Sequence, residues 1–267
     1  CGKIGFEVKS MYYLNGVISS EELLNEDFFY GYSLFETMYG MNGKVLFLNE
    51  HINRMLESAK LIGINIKNDI NKDINKDINN FIEKFGKMEE FMFKIQVSNN
   101  NFYMKILKFS GREADEGITA SFVKKYYQNE MGFIKSANYL GNILAKKELE
   151  SFEGVFTNRQ GIITEGTMSN LFFIKNGILY TPSLDLNILP GVTRGIIIKI
   201  SNSLGIKVQE GHFYKKDLLE SDSMFFTNSL MKIGLLWTSE FENIKKNKTK
   251  EIHKLEKEYY KLIRDMI

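Results

Sequence analysis

The sequence predicts a mixed α and β protein in two unequal parts. Three observations lead there. The 267 residues, 43% apolar and 25% charged, are enough for a substantial core in one large domain or two modest ones. Short apolar runs closed by Asn–Gly turns alternate with segments of helical spacing. The stretch Ser110–Gly117, "SGREADEG", is small and charged without apolar periodicity, so it reads as a linker. The expected organisation is an extension over residues 1–10, a small α+β domain over 11–113 beginning at Met11, and a large domain over 114–267.

The elements follow in order. "MYYLNGVIS" places Asn15–Gly16 between apolar runs, a hairpin signal, and "FETMYGMNGKVLFL" repeats it at Asn42–Gly43. "NEHINRMLESAKLIGI" then switches to helical spacing, with Ile52, Met55, Leu56, Ala59 and Ile62 on one face. The repetitive "NDINKDINKDINNFIEKF" reads as a polar helix with one apolar stripe, because Ile70, Ile74 and Ile78 fall four apart. "FMFKIQVSNNNFYMKILKF" returns to strands around an asparagine loop. After the linker, "ITASFVKKYY" reads as a strand and "NYLGNILAKKELES" as a helix with Leu140, Ile143 and Leu144 inward. Strands follow in "GVFTN", "GIITEG" and "SNLFFIKNGILYTP", with turns at Asn158–Gly161 and Asn176–Gly177. Pro190–Gly191 opens a helix that closes near Gly205. "DSMFFTNSLMKIGLLW" is again strand, and "EIHKLEKEYYKLIRDMI" an amphipathic helix.

Composition removes several classes of function. The net charge of +2 gives no reason to expect nucleic acid as a partner. The single cysteine, Cys1, allows no intramolecular disulfide and no cysteine-based zinc site. No apolar run approaches the roughly 18–20 residues that span a membrane, and "CGKIGFEVKS" lacks the apolar segment of a signal peptide. A cytoplasmic protein without membrane or nucleic-acid partners is expected.

The chemistry-bearing residues are sparse. The chain holds no G-x-x-x-x-G-K-[ST] phosphate loop, G-x-G-x-x-G fingerprint, H-E-x-x-H zinc helix or G-x-S-x-G elbow. His51, His212 and His253 are too scattered to argue for a metal and read as surface or packing residues. Lys135 precedes a helix, and alone it is an ordinary solvated lysine. Arg54 lies beside His51 on a helix, a common polar pairing. In "ILPGVTRGIII" the first turn of a helix holds Val192 and Thr193, whose free amides and dipole suit a phosphate or mark a plain helix start. Glu165 is harder to explain. It sits in "ITEGTMSN" among apolar residues, where a carboxylate is costly unless something positive meets it.

Taken together, "YGYSLFETM", "LNEHINRMLESA", "KSANYLGNILAKKE", "TEGTMSNLFFIKNGILYTPSLDLNILPGVTR" and "FFTNSL" resemble the fold-type IV pyridoxal-phosphate enzymes, from Met11 nearly to the C-terminus. That family includes branched-chain and D-amino acid aminotransferases and 4-amino-4-deoxychorismate lyases. The resemblance implies an α+β fold with a small N-terminal α/β sandwich and a larger C-terminal cofactor-binding domain built on a barrel-like sheet. It also implies pyridoxal 5′-phosphate between the two, a small-molecule substrate and a homodimer with its active site near the interface. Lys135 matches the lysine that bonds the cofactor and later moves protons. Glu165 matches the carboxylate facing the pyridine nitrogen, which would supply its missing positive partner. Arg54, Val192, Thr193 and Ser229 match phosphate contacts. Leu189 matches the apolar residue against the ring, and Tyr139 resembles a tyrosine that bonds the ring hydroxyl. A relative that had lost its cofactor would be expected to lack the lysine or the glutamate, and both are present.

Within the family, the D-amino acid branch holds the substrate carboxylate with an Arg–x–His pair and a tyrosine. Here the corresponding strand region is "QVSNNNFYM", and the tyrosine position is Phe35. "FFYGYSLFETM", "YTPSLDLNILPGVTR" and above all "FFTNSL" look most like the lyases. The resemblance therefore implies conversion of 4-amino-4-deoxychorismate to 4-aminobenzoate and pyruvate on the way to folate, with Thr37 near the leaving group. The alternative is an aminotransferase acting on branched-chain or D-amino acids with 2-oxoglutarate.

Overall fold

The computed structural model describes residues 12–14, 17–19, 30–66, 68–99, 101–109, 117–125, 130–239 and 248–267. The extension over 1–10, the Asn15–Gly16 turn and residues 110–116 of the linker lie outside the described residues. The strands flanking that first turn, β1 (Tyr12–Leu14) and β2 (Val17–Ser19), pair antiparallel, with Leu14 opposite Val17.

A four-stranded antiparallel sheet is built next, in the order β4-β3-β5-β6. Its strands are β3 (Leu34–Met41), β4 (Lys44–Val45), β5 (Glu90–Val97) and β6 (Phe102–Lys108). The turn between β3 and β4 falls where the sequence places it. Asn42 and Gly43 have φ of 50° and 78°, the left-handed pair that a two-residue hairpin loop demands. Between β4 and β5 come helices α1 (Leu48–Ile62) and α2 (Asn68–Phe85). One face of the sheet, carrying Leu34, Met38, Phe91, Phe93 and Ile95, packs on Ile52, Met55 and Ala59 of α1 and on Ile74, Ile78 and Ile82 of α2. The low-complexity run is thus a helix that places Ile74, Ile78 and Ile82 in the core. The other face carries Phe35 opposite Gln96 and Thr37 opposite Lys94. That face borders the cavity described below.

The remaining strands form a nine-stranded mixed sheet in the order β12-β11-β10-β14-β15-β7-β8-β9-β13. They are β7 (Ile118–Phe122), β8 (Glu153–Thr157), β9 (Ile162–Gly166), β10 (Asn170–Lys175), β11 (Ile178–Pro182), β12 (Val208–Gly211), β13 (Phe213–Tyr214), β14 (Ser223–Asn228) and β15 (Lys232–Ser239). The sheet curls so that β9 lies beside β10 and β11, giving it a barrel-like form. Strand β10 is buried on both faces. Leu171 and Phe173 join Ile118, Val155, Met224 and Phe226 in one cluster. Phe172 and Ile174 join a second cluster with α4 (Val192–Ser203) and α6 (Lys250–Met266), the short α5 (Lys215–Leu219) lying between them in the chain. Tyr39, Leu46 and Phe47 belong to that second cluster too, so the small sheet's hairpin is tied to the large sheet's helices.

Two expectations need correction. In α3 (Leu140–Lys147), Leu140, Ile143 and Leu144 do not point inward: they are 62%, 42% and 40% exposed. The helix is short, and Ala145 is the residue it buries, so its larger apolar side chains stand outward. The segment "DSMFFTNSLMKIGLLW" is not one strand but two, β14 and β15. The Asn228 side chain accepts from the backbone N–H of Leu230 and Met231 at 3.0 and 2.7 Å and turns the chain there.

Candidate active site

A cavity of about 630 Å³ lies between the small sheet, the start of α4 and strands β9, β10 and β14. Lys135, Thr37, Arg54, Tyr139, Glu165, Leu189, Val192, Thr193 and Ser229 all line it. They come from segments spread over most of the chain, so tertiary folding alone gathers them.

One group of these residues is held by a continuous chain of hydrogen bonds. Strand alternation sends Phe35 and Thr37 to the cavity and Glu36 to the opposite face, under α1. There Glu36 accepts from Arg54 Nε at 2.9 Å and Nη2 at 2.6 Å, a two-pronged contact. It also meets His51 Nδ1 at 2.7 Å. Arg54 Nη1 donates to the Pro190 carbonyl at 3.1 Å, which leaves guanidinium N–H groups over for the cavity. His51 Nε2 lies 3.0 Å from Ser229 Oγ. Burial pushes the Glu36 carboxyl up, but Arg54 and His51 together pull it down to about 2. Beside this group α4 begins without a side-chain cap, so its first amides are free to meet an anion. Gly191 lets Asn170 pack closely at that start: a Cβ there would lie 2.0 Å from Asn170 Oδ1 and would displace that amide.

The second group surrounds Lys135. Its loop is stitched to β3, since Lys135 accepts from the Phe35 amide at 3.0 Å and Ser33 from the Ala137 amide at 2.8 Å. The Lys135 amine stands 4.6 Å from the Phe35 ring centre and 5.4 Å from that of Tyr139, and the two rings meet edge to face. Burial, followed by the charge of Arg54, pulls this amine down to about 8. Glu165 is displaced the other way. Burial pushes its carboxyl up to about 8, against the opposing pull of the Leu189 amide and Lys135. Leu189 N–H donates to it at 3.2 Å and Asn170 Nδ2 at 3.5 Å, but among the described residues no cation forms an ion pair with it.

The turn between β9 and β10, which directly follows Glu165 and Gly166, is clamped by Glu153. This buried carboxylate accepts from the hydroxyls of Thr167 and Ser169 and from the amides of Gly154 and Met168. The sequence reading missed Glu36, His51 and Glu153. One signal for Glu36 existed: it shares the strand phase of buried Leu34 and Met38, where a charge needs partners.

The chain belongs to the amino-transferase class IV family, whose model matches residues 33–234. An aminodeoxychorismate lyase of Bacillus subtilis is 28% identical to it, over 84% of each chain. A D-alanine aminotransferase of Listeria monocytogenes is also 28% identical, over 76% of this chain and 77% of its own. The crystal structure of a branched-chain aminotransferase from Thermoproteus uzoniensis, solved with norvaline, superposes with a TM-score of 0.81. It covers 96% of this chain and 95% of its own at 22% identity, and so shares the fold. The family depends on pyridoxal 5′-phosphate. The residues here suit that group: a half-buried carboxyl with no ion-pair partner among the described residues, a lysine amine pulled toward neutrality and an uncapped helix start all face one cavity. The relatives' names differ between lyase and aminotransferase, so the choice of reaction rests on this chain's own cavity.

Proposed function

We propose that this chain converts 4-amino-4-deoxychorismate to 4-aminobenzoate and pyruvate, a lyase step toward folate. The observation that carries this reading is the aromatic enclosure of the Lys135 amine by Phe35 and Tyr139. A ring-shaped substrate finds flat apolar partners there. An aminotransferase must instead anchor an α-carboxylate beside the reacting carbon, and a phenylalanine offers that carboxylate no hydrogen bond. Lys94 and Gln96, on the same face of the small sheet, suit the carboxylates that the lyase substrate carries on its ring and its enolpyruvyl arm.

In this reading Arg54, the Val192 and Thr193 amides and the Ser229 hydroxyl hold the cofactor phosphate. Glu165 would pair with the ring nitrogen, Leu189 would contact the ring and Tyr139 would bond its hydroxyl. When bound, pyridoxal 5′-phosphate supplies a protonated ring that accepts electron density from the substrate. The Lys135 amine, ready to be neutral near its pKa of about 8, removes the proton from the amine-bearing ring carbon. The neighbouring enolpyruvyl C–O bond breaks with that electron pair. The substrate ring becomes aromatic, and the enolpyruvate takes up a proton to leave as pyruvate. Thr37 hydrogen-bonds the departing arm. Aromatisation drives the step, so no keto acid is consumed.

The second reading, an aminotransferase for branched-chain or D-amino acids, draws on the Lys94 ammonium, which also suits the distal carboxylate of 2-oxoglutarate. One assay separates the two. With aminodeoxychorismate from a coupled synthase, the lyase releases 4-aminobenzoate and equimolar pyruvate without added keto acid. Rapid glutamate formation from leucine, isoleucine or D-alanine, with no aminobenzoate, would reverse the ranking.

The working unit in this reading is a homodimer. Leu140, Ile143, Leu144 and Met168 are exposed apolar side chains on elements at the cavity, and a second copy would cover them. Sedimentation gives the test, with a monomer as the adverse result. The core that the small sheet forms with α1 and α2 supports a small domain over 11–113 and a large one over 114–267, joined through Tyr39, Leu46 and Phe47. Among the described residues no helix is long and apolar enough to cross a membrane, and the single cysteine suits a cytoplasmic enzyme.

A further inference from the structure

His51 is wired between Glu36 and Ser229, yet phosphate binding by Arg54 and Ser229 makes no use of it. The ring is 1% exposed and engaged at both nitrogens, with Nδ1 2.7 Å from Glu36 Oε2 and Nε2 3.0 Å from Ser229 Oγ. Chemistry decides where the protons are. Glu36 is ionised at neutral pH and can only accept, so Nδ1 carries a hydrogen. Burial outweighs the pull of Glu36 and, with Arg54 and Lys135, holds His51 below its ordinary range. The neutral ring therefore presents a lone pair at Nε2. Ser229 must give its one hydroxyl proton to that lone pair, which leaves its own lone pairs for the cavity. That polarity repels an anion.

We propose that His51 is a positioning residue that takes up one proton from solvent when a phosphate ester enters the cavity, and so reverses Ser229. The new Nε2–H donates to the Ser229 oxygen, and the Ser229 hydroxyl turns to donate to the phosphate. The inference rests on the reading that the phosphate lies at Arg54, Thr193 and Ser229. The charged groups facing the ring are Glu36 from β3, Arg54 from the next turn of α1 and Lys135 from the loop before α3. Before binding, burial of the ring, helped by the two cations, outweighs the pull of Glu36 and opposes a positive charge on His51. A phosphate dianion reverses that balance. By linkage, phosphate affinity then falls as pH rises between the free and bound pKa values of His51, by up to about tenfold per pH unit.

The chain has three histidines, so a [15N]histidine-labelled sample resolves His51 against only His212 and His253. At neutral pH the cofactor-stripped protein should show His51 protonated at Nδ1 alone. The pyridoxal 5′-phosphate-loaded protein should show both ring nitrogens protonated. A ring that stays neutral in both states overturns the inference. The His51→Gln variant serves as a second probe, because the amide it introduces places a permanent N–H near the Nε2 position. It should keep cofactor affinity while losing the part of its pH dependence that wild type shows. His51→Phe should weaken retention by about tenfold or more, the scale of one lost charge-assisted hydrogen bond. A His51→Gln protein with the wild-type pH dependence also overturns the inference. An Arg54→Ala protein that retains the cofactor as tightly as wild type has a different meaning: the phosphate lies elsewhere, and the reading beneath the inference fails with it.

Discussion

Glu36 and Glu165 serve one cavity and could hardly be treated more differently. Glu36 is 1% exposed but answered from two sides, by Arg54 and by His51, and its carboxyl is drawn down to about 2. Glu165 receives two amide donors and no ion-pair partner among the described residues, and its carboxyl is pushed up to about 8. A buried charge whose partners belong to the chain is settled before any ligand arrives, and it fixes the geometry of those partners. A half-buried carboxyl still short of a cation is poised for one that arrives from outside. The first kind preorganises a site and the second kind reads what enters it.

The largest test of the contrast is Lys135→Ala. It should abolish turnover and the borohydride-reduced covalent cofactor adduct. Recovery of the adduct on another lysine would remove Lys135 from its assigned place.

Arg54→Ala breaks the settled group. It should weaken cofactor affinity by about 2–5 kcal/mol, the scale for truncating one partner of a buried charge pair. It should also lower the melting temperature of the cofactor-free protein, because Glu36 is left buried with less compensation. Unchanged affinity in dialysis would take Arg54 out of the cradle.

Glu165→Gln breaks the poised group, and its effects should split. Turnover should fall roughly 10²–10³-fold, as when one preorganised electrostatic contact is lost. The cofactor-free variant should nevertheless be more stable than wild type at pH 8. The sign follows from linkage. A carboxyl whose folded pKa is raised from 4.5 to about 8 holds its proton more tightly when folded, so its stabilising contribution is present below pH 4.5 and lost as pH rises through 8. Glu36 has the opposite linkage, with stability present above its unfolded pKa and lost as pH falls toward 2. Equal melting temperatures for wild type and Glu165→Gln across that alkaline range would show that Glu165 is as settled as Glu36.

Tyr139→Phe should do least. Its hydroxyl reaches the Thr167 carbonyl only at 3.5 Å, so stability should change by no more than about 1 kcal/mol. The ring that flanks Lys135 is kept. A large loss of stability would mean that the hydroxyl is part of a tighter network than its geometry indicates.

Local patterns were enough for most elements. The Asn42–Gly43 turn, the isoleucine stripe of α2 and the helix opened by Pro190–Gly191 are decided by neighbours within a few residues, and the sequence displays those neighbours directly. The outward face of α3 was not legible, because periodicity marks an apolar stripe without saying whether this chain covers it. The candidate residues could be named from their motifs, but their state could not. Nothing near Glu165 in sequence says that its carboxyl rises to about 8, since that shift comes from burial in the folded chain, opposed by the distant Leu189 amide and Lys135. The Glu36–His51–Ser229 chain joins β3, α1 and the turn after β14, with partners 15 and 178 residues apart. Hydrogen bonds and Coulomb forces act over a few ångströms of space, whatever the separation along the chain. The sequence by itself therefore determined which side chains were available, and only the tertiary structure decided which charges met and which were left waiting for a partner.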